Sequence, residues 1–589
     1  MVKPYPKEII LMILLIAFAI GEPQKALAAW DTKKKVTIMC YMNGDNDLAG
    51  EVLYAVDMME TVGSSDDIDI LALVDGRPGA NDGYGHQWEK TKLLYITKDD
   101  DIGTIHSPVI EEMGEQNLGD PRSLEKFIQT GLKYRSEQYI FITFAHGRGI
   151  IDTKSLEYRN DSKSLFLSPD ETGGRAMTHQ EFRRAIKNGL SGERFQLMVF
   201  FSCLTNMVEI GYEFRDITRY MIGSEDEIRI VNDPPGTFQI RGIKLERLIG
   251  KLRSNPETPA FELGKVTIDS FIEQYEKDIV IQKEGGQKNL GKYSAGLSFV
   301  DCQKYGKIAK SLDMLAKQLI EDLGNEVSGK NVLKNLQSAL LDSQKYASFL
   351  NLEYHDLQDF LENLSDHSGD DRIKALSKDS LDILKNELIL YERHTEDSHS
   401  NGVSIFLPSF LVPENIYSSH RGMYKNSRFS KDTSWDEMID TYRTKMLARY
   451  AEIMIDACEK AFLKSDLEAL ERLRSRIPWA LCRDVLKGNY TSTQRYLDFL
   501  KREELDSIPR HSLLNLHEAL KISDKNRGIS HDLLKRVEAL IRSGRNNSPG
   551  GIGRGLIRNQ NSALMSGNQS EKRMSKNPKH VEDINMVLE

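Results

Sequence analysis

The sequence predicts an α/β fold with a mostly parallel central sheet flanked by helices, and three observations carry that expectation. Strand-like and helix-like segments alternate from about residue 35 onward, the pattern of units that build a parallel sheet. Two apolar runs, 139–145 and 195–202, are continuous rather than alternating, as strands buried on both faces should be. Each run stops abruptly at one chemically active side chain, His146 in the first and Cys203 in the second. Parallel sheets carry their ligands at the carboxyl ends of the strands. If these two strands are neighbours, His146 and Cys203 emerge together on one rim.

The elements follow in order. Lys3 and Lys7 precede an apolar run over 9–20, and Ala26-Leu27-Ala28 supplies a small-x-small cleavage pattern. That is the three-part form of a secretory signal peptide over 1–28, with a secreted or periplasmic destination. The alternative is a membrane anchor, but twelve apolar residues fall short of the roughly 20 a span needs. No later stretch is long and apolar enough to cross a bilayer.

The main domain is expected over 30–445. A strand over 36–41 leads through Asn43-Gly44-Asp45-Asn46-Asp47 into a helix over 48–60, then a strand over 68–74 and a short hairpin near 93–96. Asp120-Pro121 opens a helix with an N-cap and a proline at its first position. Leu124, Phe127, Ile128 and Leu132 mark its buried face. After the His146 strand comes a loop over 152–175 rich in Ser, Asp, Gly and Lys, then a helix over 178–188 and the Cys203 strand. A helix is expected over 204–215, a strand over 217–222 and an acidic turn over 223–227, with later strands over 295–300 and 403–407. Between these last two, residues 305–391 read as a helical insertion broken at 366–371. A helical appendage over 446–542 carries an apolar stripe (Tyr450, Ile453, Met454, Ala457, Cys458, Ala461) suited to core or to a partner face. Beyond 543 the composition turns to Gly, Ser, Asn, Lys and Arg, that of a disordered tail.

With 589 residues the chain exceeds one core and implies two or three domains. Its net charge of −9 gives no reason to expect nucleic acid as a partner. Five cysteines are few and odd in number, so this is no disulfide scaffold. Cys40 and Cys302 sit in or beside strand-like runs and read as small hydrophobes. Cys458 and Cys482 lie in helical sequence. No C-x-x-C pair or His-x-x-x-His spacing is present, so no zinc or redox site is indicated. The sequence itself requires no cofactor and supplies no metal site.

Only Cys203 stands where a nucleophile would. A thiolate attacks and a thiol barely does; proximity to a helix N-terminus or a histidine lowers the thiol pKa. The expected helix after Cys203 would favour negative charge there, and His146 could take the proton and return it to a leaving amine. Backbone N–H groups of Gly147 and Cys203 could form an oxyanion hole. Singly, a strand-end cysteine or a His-Gly turn is as well explained by structure alone; together they point to catalysis.

Several spaced segments are similar to the clostripain family of cysteine endopeptidases. These are Tyr41-Met-Asn-Gly-Asp-Asn-Asp-Leu48, Asn117-Leu-Gly-Asp-Pro121, His146-Gly-Arg-Gly149, Cys203-Leu-Thr-Asn-Met-Val-Glu209, Gly223-Ser-Glu-Asp-Glu227 and Asn401-Gly-Val-Ser-Ile-Phe-Leu-Pro408. The resemblance implies a caspase-like α/β/α sandwich shared with gingipain, legumain and caspases. It also implies His146 and Cys203 as the dyad, protein or peptide substrates, and cleavage after Arg or sometimes Lys. Self-cleavage and activation by calcium are implied by resemblance alone. The basic loop with Lys154, Arg159 and Lys163 is the expected place for a maturation cut. One departure stands out: where the family has an aspartate two residues before the cysteine, at the floor of the pocket for the basic side chain, this chain has Phe201. A carboxylate pairs with guanidinium through two charge-assisted hydrogen bonds, whereas a phenyl ring offers only a cation–π contact of about 0.5–2 kcal/mol. Ser224, Glu225 and Asp226 are the alternative pocket residues, unless they form a merely solvated acidic turn. The oxygen-rich segments 43–47 and 366–371 lack the twelve-residue calcium-loop spacing, and turn chemistry explains both. The rival to a peptidase is a degenerate relative that binds peptides without cutting them.

Overall fold

The computed structural model describes residues 33–463 except 78–87, 89, 152–166, 229–241, 243, 278, 284–285, 292, 326, 348–351, 397 and 413; beyond 463 it describes only residue 535. The expected signal peptide, the basic positions of the 152–175 loop, most of the appendage and the tail lie outside the described residues, as do the side chains of the 450–461 stripe. The chain divides into two compact units, Met1–Leu319 with Asn335–Asp436, and Ile320–Lys334 with Glu437–Glu589. The sheet and the site belong to the first.

Nine strands form the central sheet: β1 (Lys34–Gly44), β2 (Ile68–Gly76), β3 (Thr91–Tyr95), β4 (Val109–Gly114), β5 (Ser136–Phe144), β6 (Phe195–Phe201), β7 (Thr218–Gly223), β8 (Gly296–Asp301) and β9 (Ile389–His394). Their order is β9-β8-β7-β6-β5-β1-β2-β3-β4. The five central strands, from β7 to β2, are parallel. The strands outside them on both sides pair antiparallel. Side chains alternate across each strand, which explains the two layers of helices. Ile38, Cys40, Ile142, Phe144, Val199 and Phe201 face one way, into a core completed by helices Ala49–Glu60, Leu245–Ser254 and Ala260–Tyr275. Tyr41, Phe141 and Phe200 face the other, against Phe127, Phe182 and Phe214 of helices Pro121–Gly131, His179–Leu190 and Val208–Phe214. The result is an α/β/α sandwich.

Local signals place several boundaries. Asp120 caps its helix by accepting from the Arg122 N–H, with Pro121 at the first position. Thr178 and Glu181 form a reciprocal capping box for the next helix. Other boundaries differ from expectation. The 152–175 loop contains a strand, Leu167–Asp170, paired antiparallel with Arg175–Met177. The 305–391 segment is helical over Tyr305–Gly324, Gly329–Asp342, Leu357–His367 and Asp371–Ile383, but its end turns through a π-helical turn into edge strand β9. Ile389, Leu390 and Tyr391 continue an amphipathic pattern that an edge strand and a helix end share. Ser404–Phe406 joins a small separate sheet with Lys345–Tyr346 and Tyr354–Asp356 instead of the main one.

Candidate active site

Register brings the two junctions together. Strands β5 and β6 are parallel neighbours with Phe144 opposite Phe201. His146 and Cys203 therefore each stand two residues beyond the same cross-strand pair. The pairing continues past the strands, because the Ala145 N–H donates to the Phe201 carbonyl at 3.3 Å. At Gly147 a β-carbon would fall 2.2 Å from the Cys203 carbonyl oxygen and 3.2 Å from its nitrogen. Only glycine permits that approach. Gly149, at φ +77, turns the chain beneath Tyr354, whose hydroxyl donates to the Arg148 carbonyl at 2.9 Å and accepts from the Ile151 N–H at 3.3 Å.

His146 is half-buried, and its Nε2 lies 2.6 Å from Oδ1 of the exposed Asp47. That hydrogen bond is the main cause holding the Asp47 carboxyl below its ordinary value. Sequence reasoning treated 43–47 as a turn and missed this contact. The available signal was position, since Asp47 follows the carboxyl end of β1, the strand paired with β5 on its other side.

Cys203 is also half-buried. Its sulfur accepts a hydrogen bond from the Ile228 N–H at 3.2 Å and lies 3.7 Å from the Ile228 carbonyl oxygen. Burial pushes the thiol up to about 12; the Ile228 contact opposes the shift, and the Glu227 and Asp226 carboxylates reinforce it. The expected helix over 204–215 is corrected here: it begins only at Val208. Leu204 is left-handed at φ +55, and the N–H groups of Leu204, Thr205 and Asn206 donate to the carbonyls of Asp226 and Ser224. The cysteine therefore abuts the acidic turn, not a helix N-terminus, and no helix dipole lowers its pKa.

The remaining expected pocket residues divide. Phe201 packs edge-on against Phe144, ring centres 4.0 Å apart, and lines a pocket with Tyr54, Met58, Lys244, Leu245 and Glu246. Asp226 lies beside Cys203, its Oδ1 accepting from the Glu227 N–H at 2.7 Å. Ser224 is buried, and its hydroxyl accepts from the Asp226 N–H at 3.1 Å. Glu225 is buried, with Oε1 accepting from Ser400 Oγ and the Gly402 N–H, each at 2.5 Å. Burial and the nearby Asp356 hold its carboxyl well above the ordinary range. Glu225 thus ties the turn to the interior, while Phe201 and Asp226 remain beside the junction.

A histidine and a cysteine ending adjacent parallel strands of an α/β/α sandwich define a protein of the thiol-hydrolase class. The sequence profile of the clostripain family, peptidase C11, matches residues 40–442. The chain belongs to the clostripain family and is a cysteine-type endopeptidase. Clostripain of Hathewaya histolytica is 24% identical over 458 residues, covering 70% of this chain and 81% of that protein. A secreted C11 cysteine protease from Bacteroides thetaiotaomicron, solved with an irreversible peptide inhibitor, is 18% identical with a TM-score of 0.47, covering 68% of this chain and 99% of that one. An inactive zymogen C11 protease from Parabacteroides distasonis is 17% identical, also with a TM-score of 0.47, over 68% and 99%. Among the described residues no helix is long and apolar enough to cross a membrane.

Proposed function

We propose that Cys203 is the nucleophile and His146 its proton carrier in an exported endopeptidase acting on proteins or peptides. The observation that carries this reading is the Phe144–Phe201 register, which sets both side chains two residues past one cross-strand pair. The imidazole removes the thiol proton as sulfur attacks the scissile carbonyl, then hands that proton to the leaving amine as the C–N bond breaks. Water, deprotonated by the same imidazole, releases the acyl group. Asp47 occupies Nε2, leaving Nδ1 for these transfers. Gly147 and Cys203 N–H groups steady the oxyanion. Hydrolysis by this pair is complete without a cofactor.

Side-chain choice is argued from Phe201 and from Asp226, the groups beside the junction. With a ring in place of a floor carboxylate, preference for Arg or Lys is weakened, and Asp226 is the remaining acidic group at the junction. Export rests on the Lys3, Lys7, 9–20 and Ala26–Ala28 pattern, in keeping with the Bacteroides neighbour described as secreted. The Ile228 N–H and carbonyl lie against the sulfur in this form. The same capped sulfur, with Phe201, is what favours the second reading, a protein that holds peptides without cutting them.

A mixed peptide library assayed with wild-type protein and Cys203→Ala separates the two readings and reports the side-chain preference. The variant is expected to lose at least about 10³-fold in turnover, since loss of a nucleophile removes the covalent route. Wild-type rates in the variant, or no cleavage by the wild type, would reject the proposed dyad.

A further inference from the structure

The segment after Cys203 and the acidic turn beside it are both held by one short strap, residues 400–402. Ser400 Oγ and the Gly402 N–H donate to Glu225 Oε1, each at 2.5 Å. The N–H of Asn401, between them, donates to Asp356 Oδ2 at 2.8 Å. Three consecutive residues thus draw two carboxyl groups to one place, both buried, at 1% and 0% exposure. Glu225 stands between Ser224 and Asp226, whose carbonyls take the N–H groups of Leu204, Thr205 and Asn206 directly after Cys203. The Asn206 amide in turn donates to the Gly402 carbonyl at 2.9 Å.

Donors are shared unequally between the two carboxyls. Asp356 caps the helix Leu357–His367, its Oδ1 accepting from the Asp359 N–H at 2.9 Å, and Asn401 takes its Oδ2. A helix N-terminus favours the ionised form there. Glu225 Oε2, by contrast, is buried without a hydrogen-bond partner, although the two carboxyl groups come within hydrogen-bond reach of each other. Among the described residues no lysine or arginine pairs with either. The ionisable groups facing them are Asp226 in the turn, Tyr346, Tyr305, and Asp359 in the capped helix, none of them a cation. Burial holds His355, next to Asp356, well below its ordinary value, and His399 bears on Asp359. Two carboxyls in contact at such a site do not both ionise. One proton between them removes the repulsion and gives the orphaned oxygen a partner.

We propose that Glu225 and Asp356 share one proton, carried on Glu225 Oε2 and donated to the ionised Asp356, and that this bond makes Glu225 a positioning residue for the Cys203 segment. The proton closes the strap onto the turn, and the turn receives the N–H groups that follow the sulfur. Its bearing on catalysis rests on the dyad reading; the shared proton does not. An unfolded glutamate loses its proton near about pH 4.3, whereas burial and Asp356 hold the folded group well above its ordinary value. Between those points the folded form carries the extra proton. The stability it contributes is therefore complete below the unfolded value and is lost as pH rises through the folded one.

The test compares full-length wild type with Glu225→Gln, whose amide oxygen still accepts from Ser400 and Gly402 and whose N–H stands in for the shared proton without titrating. From about pH 5.5 upward the thermal midpoint of the variant should gain on wild type by about 1–2 °C per pH unit, levelling off where the pair titrates. Infrared difference spectra between the two at pH 7 should show the carbonyl band of a protonated carboxyl in the wild type. Asp356→Asn must turn an N–H toward the N–H of Asn401 or Asp359, so its midpoint falls below that of Glu225→Gln. Glu225→Ala should lower kcat at least about tenfold by misplacing the sulfur, and Glu225→Gln should recover most of that loss. A midpoint difference constant with pH, no carboxyl band, or Asp356→Asn as stable as Glu225→Gln would overturn the shared proton. Wild-type kcat in Glu225→Ala would overturn the positioning role. Midpoints and spectra need no peptidase activity, so they stand apart from a failed dyad assignment, which would show instead as turnover by Cys203→Ala.

Discussion

The rim beyond β5 and β6 and the rim beyond β1 and β2 face the same end of one sheet, yet they are built in opposite ways. The first sets a half-buried imidazole and thiol two residues beyond a single registered pair. The second gathers three buried carboxylates from positions 45, 75 and 170. One is partly open and pairs an imidazole with a thiol; the other is closed and of one charge sign. Strand polarity explains why both lie at carboxyl ends, where a parallel sheet leaves chain turns free to carry function. Chain distance explains why only one is visible from spacing and pattern.

After loss of the sulfur itself, the largest effect expected tests how tightly the first rim is built. Gly147→Ala would drive a β-carbon to 2.2 Å from the Cys203 carbonyl oxygen, so the two junctions must separate. A displacement near 1 Å at reacting groups costs about 10²-fold. Peptide turnover should fall by about that factor while circular dichroism still reports a folded sheet. Gly369→Ala is the control, since nothing lies within 4 Å of its added carbon; it should leave turnover unchanged. Equal behaviour of the two variants would break the picture of a close-packed His146–Cys203 junction.

Much of the first rim was legible because its signals are local. Continuous apolar runs marked β5 and β6, and the helix over 121–131 announced itself by Asp120 and Pro121. The segment after Cys203 was misread because Leu204 to Asn206 direct their N–H groups to the acidic turn, a tertiary choice that overrides helical periodicity. Asp47 was hidden for a related reason. An Asn/Gly/Asp run satisfies turn chemistry by itself, so nothing local shows that its last carboxylate reaches His146, 99 positions away. The acidic cluster is hidden more thoroughly, because its three carboxylates come from segments far apart in the chain.

Asp47→Asn sharpens the comparison at the next level. The contact with His146 is short, but Asp47 is largely exposed, and exposed pairs are worth at most about 1 kcal/mol. A fall in kcat of up to about fivefold is expected, with KM unchanged, because a positioning contact acts on proton transfer rather than on peptide binding. An effect as large as that of Cys203→Ala would make Asp47 a direct participant in the chemistry; a change confined to KM would remove it from the proton path.

The smallest effect expected concerns the charge beside the sulfur. With the thiol pushed up to about 12, only about 10⁻⁴ of it is thiolate at pH 8, and alkylation by iodoacetamide requires the thiolate. The rate should therefore climb about tenfold per pH unit from 8 to 10. The Asp226 carboxylate helps hold the proton on sulfur, so Asp226→Asn lowers the thiol pKa and speeds labelling at pH 8. The amide retains an oxygen for the Glu227 N–H that Asp226 now accepts at 2.7 Å, which isolates charge from shape. A flat pH profile in the wild type would mean that the Ile228 segment has already left the sulfur in solution, and that the nucleophile is no longer masked in the way the acidic cluster is closed.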